Sequence, residues 1–416
     1  MRIFKFGGAS VKDASGVKNV VEVLRQVGHE NTLIVVSAMG KTTNALEEVI
    51  RCYFHDKEHL SAAIETVKQY HLQLVSELFT TVPDSLSNRL QELFNEMAYF
   101  LEHNKSPNYN FVYDQVVSCG ELWSTVIVHA YFNEVGLQAN WLDVRNLVKT
   151  DDSYRDAVVD WQQTEQNIQQ AVQPKLLYVT QGFLGSDANG FTTTLGREGS
   201  DYTAAIFGYS LGAESVTIWK DVPGVLNADP RYFHETVLLQ QISYREAIEL
   251  AFYGASVIHP KTLQPLQSKE IPLLVKSFVK PLFPGTKVSR GAHLVPETPC
   301  FIVKKNQHLL SVSSKDFSFV MENNIRDIFD LLHQYKIKVN MIQNSAISFS
   351  VCVEDKFLRF HELTAQLQDK FVVHTQENVS LYTIRHFTQE SIQSLEAKHE
   401  ILLKQVMDQT IQVVAV

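Results

Sequence analysis

Residues 2–37 admit few folds. Arg2 to Phe6 is a short strand that stops at Gly7-Gly8. Val17, Val20, Val21, Leu24 and Val27 then recur at threes and fours, the spacing of one helix face, and Gly28 closes the helix. Thr32 to Ser37 (TLIVVS) is the unbroken apolar run of a strand buried on both faces. Strand, crossover helix and strand commit the chain to a parallel sheet with helices packed on it.

The rest of the chain extends that beginning. Leu60, Ile64, Val67, His71, Leu74 and Leu78 keep helical spacing, and Asp84 after Pro83 can cap a helix carrying Leu86, Leu90, Leu93, Met97 and Leu101. Residues 44–104 thus form a helical excursion, either covering a site or serving as scaffold. Alternation resumes with a helix over 121–132, a strand over 139–144, a helix over 164–172 and strands over 176–181 and 191–195. A helix over 201–211, a strand over 215–220, a helix over 244–253 and a strand over 271–277 follow. An α/β domain is expected over residues 1–285, ending at Pro284-Gly285.

Beyond it the order is strand 309–313, helix 324–334, strands 339–343 and 347–353, helix 357–367, strand 371–375. That is βαββαβ, a ferredoxin-like module expected over 306–377. A partial second copy has strand 379–386, helix 390–397 and strands 401–406 and 411–416. The strand 301–304 could complete it, giving a second module from 300–305 with 378–416. The first copy would then be inserted within the second.

A length of 416 residues fits two or three domains, and 45% hydrophobic residues can fill their cores. The net charge of -9 argues against a nucleic-acid partner, which needs a basic face. Cys52, Cys119, Cys300 and Cys352 lie far apart, as free thiols in a reducing compartment would. No signal peptide or membrane-length apolar run is present, so the expectation is a cytoplasmic protein.

Three segments could handle phosphate, each at a strand end, where open α/β sheets hold ligands. In Lys5-Phe6-Gly7-Gly8 the glycines allow close backbone approach to an anion and Lys5 adds charge; a strand-ending turn would look the same. Gly196-Arg197-Glu198-Gly199-Ser200-Asp201 opens a helix, whose free N–H groups attract anions, and Arg197 can grip a carboxylate in bidentate fashion. Alternatively Asp201 is only an N-cap and Arg197 a solvated charge. Trp219 to Arg231 carries Lys220, Asp221 and Arg231 on a rigid Pro-Gly and Asp-Pro loop, suited to a nucleotide or to a plain surface turn.

Gly40-Lys41-Thr42 is not a Walker A loop, since its first glycine would fall at Val35. His55-Asp56-Lys57-Glu58-His59 matches a zinc-peptidase spacing within a charged stretch that reads better as a solvated helix face. Metal is expected only as Mg2+ arriving with ATP.

Together these segments resemble the aspartate kinases of the amino acid kinase family. Lys5 to Val11, Ser37 to Asn44, Gly120-Glu121-Leu122 with Ser124-Thr125, Gly196 to Asp201, Asp221 to Gly224, Asp229 to Arg231 and Gly254 to Pro260 follow in the family's order. The resemblance implies a three-layer αβα kinase domain with a mainly parallel sheet and two C-terminal ACT domains. It implies transfer of the ATP γ-phosphate to the β-carboxylate of L-aspartate, the first step toward lysine, threonine and methionine.

Carried over, Lys5, Gly7 and Gly8 would hold ATP phosphates, and Asp201 would orient Lys5. Ser37, Thr43, Glu121, Arg197 and Ser200 would bind aspartate, with Glu121 on the ammonium and Arg197 on a carboxylate. Lys220, Asp221, Leu226, Arg231 and Ser256 would border the nucleotide. No general base is needed, because a carboxylate is already a nucleophile at neutral pH.

Four positions depart from the family pattern: Glu198 replaces a glycine, Lys220 a threonine, Leu226 a tyrosine and Ser256 a lysine. Lys220 would then supply the cation missing at 256. The resemblance also implies an amino-acid effector at the ACT pair and a homodimer or larger homo-oligomer. Asn340 and Ala346 stand where lysine-inhibited relatives often carry acids. A stand-alone kinase is expected, with no fused dehydrogenase. The competing readings are a catalytically impaired amino-acid sensor and a kinase for another amino acid.

Overall fold

The computed structural model describes residues 1–255, 258–316 and 318–416. They form two compact units: Met1–Val225, Leu238–Ile248 and Ile258–Leu294 make the first, and Leu226–Val237, Glu249–Val257 and Val295–Val416 the second.

In the first unit β1 (Arg2–Phe6), α1 (Ala14–Val27) and β2 (Thr32–Val36) form the expected βαβ unit, with β1 and β2 parallel. Five helices follow without a strand: α2 (Thr42–His55), α3 (Lys57–Leu78), α4 (Asp84–His103), α5 (Tyr109–Val117) and α6 (Cys119–Glu134). The excursion therefore starts at Thr42 and runs on past residue 104. Asp56 breaks it between α2 and α3, so His55 and His59 do not share one helix.

Next come β3 (Ala139–Leu142), α7 (Trp161–Ala171), β4 (Leu177–Gln181), β5 (Leu184–Ser186), β6 (Thr192–Thr194), α8 (Gly199–Leu211) and β7 (Ser215–Lys220). β8 (Gln241–Ser243), α9 (Tyr244–Tyr253), α10 (Pro260–Ser268), β9 (Leu273–Ser277) and β10 (Thr286–Ser289) complete the series. The sheet order is β3-β4-β2-β1-β7-β9-β10-β8, parallel at every pairing except β9 with β10. β1 is central: the chain first builds outward from it through β2, then returns to its other side with β7. Its C-terminal end is thus the switch point at which open α/β sheets bind ligands.

Several expected elements differ. The strand expected over 139–144 stops at Leu142, because the Asp143 side chain accepts from Arg145 N–H and caps a 3-10 turn. The strand expected over 191–195 is β6, paired only with β5 in a separate hairpin. α8 begins at Gly199 with Glu198 as N-cap, so Asp201 is not a cap but lies inside the first turn. β10 follows directly after the Pro284-Gly285 boundary.

The second unit's sheet contains β11 (Cys300–Ser314), β12 (Lys338–Asn344), β13 (Ser348–Glu354), β14 (Phe371–Arg385), β15 (Ile401–Met407) and β16 (Thr410–Ala415), ordered β12-β13-β11-β14-β16-β15. α11 (Glu322–Gln334), α12 (Phe360–Gln368) and α13 (Gln389–Glu396) pack on it. β11 and β14 are each one long strand where two were expected. Register shifts between Lys304 and Leu309 let a polar stretch pass through without ending the pairing. Cys300–Lys304 pairs with Leu381–Arg385 and Leu309–Ser314 with Phe371–Gln376, so both ferredoxin-like modules share these two strands.

Candidate active site

At the end of β1 the chain must pass very close to the loop after β2. A Cβ on Gly8 would lie 2.7 Å from Ala38 O and 2.9 Å from Gly40 O. Gly40 N–H donates to Gly8 O at 3.1 Å, so the two loops move as one. A Cβ on Gly7 would press within 3.3 Å of Lys5 Nζ, so the bare glycine leaves the ammonium its room. Ser10, in the 3-10 turn after Gly8, is buried with its Oγ unpartnered.

Lys5 points at α8. Its Nζ lies 2.7 Å from Asp201 Oδ1, and Lys220 Nζ, from the end of β7, lies 3.7 Å from Oδ2. Asp201 is only 2% exposed. Burial pushes its carboxyl up, but the attraction of Lys5 and then Lys220 outweighs this and holds it below the usual carboxylate range. An ionised acid with two cations on it fixes both ammonium groups at the switch point.

Glu121 occupies the first turn of α6 and is 3% exposed. Gly120 seats that helix end on the β2 loop, where a Cβ would come within 3.1 Å of Ala38 Cβ and Thr42 Cγ2. Ser124 Oγ donates to Ser37 O at 2.7 Å, stitching the same two segments. Glu121 Oε1 accepts from Ala38 N–H at 3.3 Å, while Oε2 is buried and has no hydrogen-bond partner among the described residues. Burial raises its pKa to about 8, against smaller opposing effects of the backbone N–H and the charge of Lys5. Such a carboxyl, once ionised, would suit a cationic partner.

The turn before α8 is tight. Gly196 has φ +78, and Glu198, at φ 56, adopts the left-handed region in which a glycine would sit without strain. Holding Glu198 there costs about 1 kcal/mol. Arg197 is exposed, four residues before Asp201; Ser200 is buried, and its side chain fills the space a Cβ on Gly182 would need.

Lys5, Gly7, Gly8, Ser37, Glu121, Asp201 and Lys220 thus cluster around the ends of β1, β2 and β7, with Arg197 and Ser200 at the start of the helix that carries Asp201. Thr43, half-buried, lies in the first turn of α2 beside buried Thr42, whose Oγ1 donates to Met39 O at 2.6 Å. Asp221 is exposed just past β7. Leu226 and Arg231 belong to the second unit, where Arg231 is exposed and paired at 2.6 Å with Asp229; Ser256 lies outside the described residues. Sequence reasoning missed Asp114, which carries no local signature; Ser10 and Ser124 stand in the motif segments Lys5 to Val11 and Gly120 to Thr125 but were assigned no role there. Among the described residues no three His, Cys, Asp or Glu side chains group as a metal site, and no helix is long and apolar enough to cross a membrane.

Fold and site define an open α/β domain that gathers two lysines and two buried acids at its switch point. The family model for the amino acid kinase family matches residues 1–277. The chain is 31% identical to a chloroplastic bifunctional aspartokinase/homoserine dehydrogenase 2 of Arabidopsis thaliana, over 89% of this chain and 42% of that protein. It is 30% identical to the lysine-sensitive aspartokinase 3 of Escherichia coli K12, over 85% of this chain and 78% of that one. Aspartokinase III of E. coli, solved with lysine and aspartate, superimposes with a TM-score of 0.84 at 26% identity, covering 100% of this chain and 95% of that chain. Solved with aspartate and ADP, it gives 0.81 at 25% identity, covering 100% and 96%. This chain belongs to the amino acid kinase family.

Proposed function

We propose that this chain is an aspartate kinase, passing the γ-phosphoryl group of MgATP to the β-carboxylate of L-aspartate. The observation that carries this reading is the pairing of opposites at one switch point: a doubly cationic nest around Asp201 and a bare buried acid at Glu121. The aspartate and ADP named for the solved relative support the same pair of ligands.

The chain's residues divide the work. Lys5, with the backbone N–H groups of the Gly7-Gly8 turn, faces the β- and γ-phosphates, and Lys220 adds charge on the nucleotide side. Glu121 takes the substrate ammonium, and Arg197 a carboxylate. A β-carboxylate oxygen attacks phosphorus, the bond from phosphorus to the β,γ-bridging oxygen breaks, and ADP leaves with that electron pair. No proton moves in the step, so no base is required. Mg2+ enters bound to ATP.

The second unit is read as the regulatory pair, with modules over 306–377 and over 300–305 with 378–416, binding an amino-acid effector and pairing copies of the chain. Lysine is a poor fit. Asn340 Oδ1 already accepts from this chain's own Lys304 Nζ at 2.9 Å, and Asn340 Nδ2 donates to Gln307 at 2.7 Å. A cytoplasmic location accords with these substrates.

The test is ADP release with MgATP and L-aspartate, with glutamate and acetylglutamate as controls. Turnover with aspartate alone supports the reading. Aspartate binding without turnover would replace it with the sensor, and turnover with another acid would change the substrate.

A further inference from the structure

Asp114 sits mid-way along α5, fully buried. Burial raises its carboxyl's pKa, with hydrogen bonds opposing. Four such bonds reach the carboxylate from two other segments. Arg155 N–H is shared between Oδ1 at 3.1 Å and Oδ2 at 3.0 Å. Thr194 N–H donates to Oδ2 and Thr194 Oγ1 to Oδ1, both at 2.8 Å. One acid therefore ties α5 to β6 and to the loop over residues 151–157.

That loop is strained. Tyr154 and Arg155, neither a glycine, have φ of 23 and 68. The Arg155 guanidinium lies 4.2 Å from the centre of the Tyr113 ring, on the helix that carries Asp114. The strain places the next residue, Asp156, against Gly196, where a Cβ would collide with its Oδ1. Asp156 also pairs with Lys261, whose Nζ reaches Leu195 O at 3.4 Å. Asp156 and Lys261 thus bracket the peptide that leads into Arg197.

We infer that Asp114 is a positioning residue for the acceptor site: by holding Arg155 left-handed it seats Asp156 on Gly196 and so aims the Arg197 guanidinium. The inference rests on the aspartate kinase reading for its substrate, but its geometry can be tested without it. Asp114 touches no reacting atom, so its loss should spare the nucleotide side.

Asp114→Asn turns one acceptor into a donor that faces donors. The KM for L-aspartate should rise about tenfold, with the ATP KM within about twofold. Glycine adopts φ 68 unaided, so Asp114→Asn with Arg155→Gly should return the aspartate KM to within about threefold of wild type. An unchanged aspartate KM, equal rises in both KM values, or no recovery in the double variant overturns the inference. Should Asp114→Asn not fold, Thr194→Val removes one of the four bonds and should raise the aspartate KM about threefold; no rise counts equally against it. Amide hydrogen exchange of the unliganded full chain separates this from the kinase reading. In Asp114→Asn, or in Thr194→Val if that variant stands in, protection should fall both over 151–157 and over 194–199. A fall confined to 151–157 overturns the coupling even if wild type makes no ADP.

Discussion

Glu121 and Asp201 occupy equivalent places and behave oppositely. Each is an acid in the first turn of a buried helix, 3% and 2% exposed. Asp201 faces β1 and β7, which bring Lys5 and Lys220 to it, and it stays ionised. Glu121 faces the β2 loop, which offers it one backbone N–H, and burial wins. Leaving a buried acid without its partner is costly, and a fold tolerates that where a ligand completes the pair. On the proposed reading, the difference separates a residue that organises the site from one that would receive substrate.

The contrast breaks most severely at Lys5. Lys5→Met should lower kcat about a thousandfold, because it removes charge where the transferring phosphoryl group develops it. Steady-state kinetics with thermal unfolding as a fold control checks this, and a loss below about tenfold would put the phosphates elsewhere.

Glu121→Gln should raise the L-aspartate KM about 10- to 100-fold while the ATP KM stays within about twofold. The same variant should unfold at higher temperature than wild type when unliganded, by a margin that grows with pH. Glu121's folded pKa of about 8 lies above the ordinary 4.5, so the folded state keeps a proton that the unfolded chain releases. Stability from that proton is complete below pH 4.5 and is lost as pH rises through about 8, whereas glutamine carries no such dependence. Parallel unfolding curves at both ends of this window would contradict the assignment.

The smallest effect belongs to Lys220, farther from Asp201 and with a side chain 21% exposed. Lys220→Ala should raise the ATP KM about threefold, the scale of a partly solvated charge. No change would mean that it does not replace the lysine absent at 256.

How much of this was legible depended on range. The βαβ start, the glycine approaches and the parallel sheet are written in local periodicity, and Lys5, Glu121, Arg197 and Asp201 stand in recognisable segments. What depended on distant partners was not. α5 drew no reading from its sequence, and nothing near Asp114 announces that Arg155 and Thr194 will converge on it. β11 and β14 each read as two strands, because Asn306 and Asn378, at φ 55 and 56, interrupt the pattern where the backbone bulges rather than stops. That Glu121 meets one backbone N–H and no ion-pair partner among the described residues shows only once its neighbours are placed.

The most direct measurement is calorimetry of L-aspartate binding at neutral pH in buffers of different ionisation enthalpy. Protonated Glu121 must ionise to meet the ammonium, so wild type should release about one proton per aspartate bound and Glu121→Gln none. Binding enthalpies independent of buffer in the wild type would contradict the account.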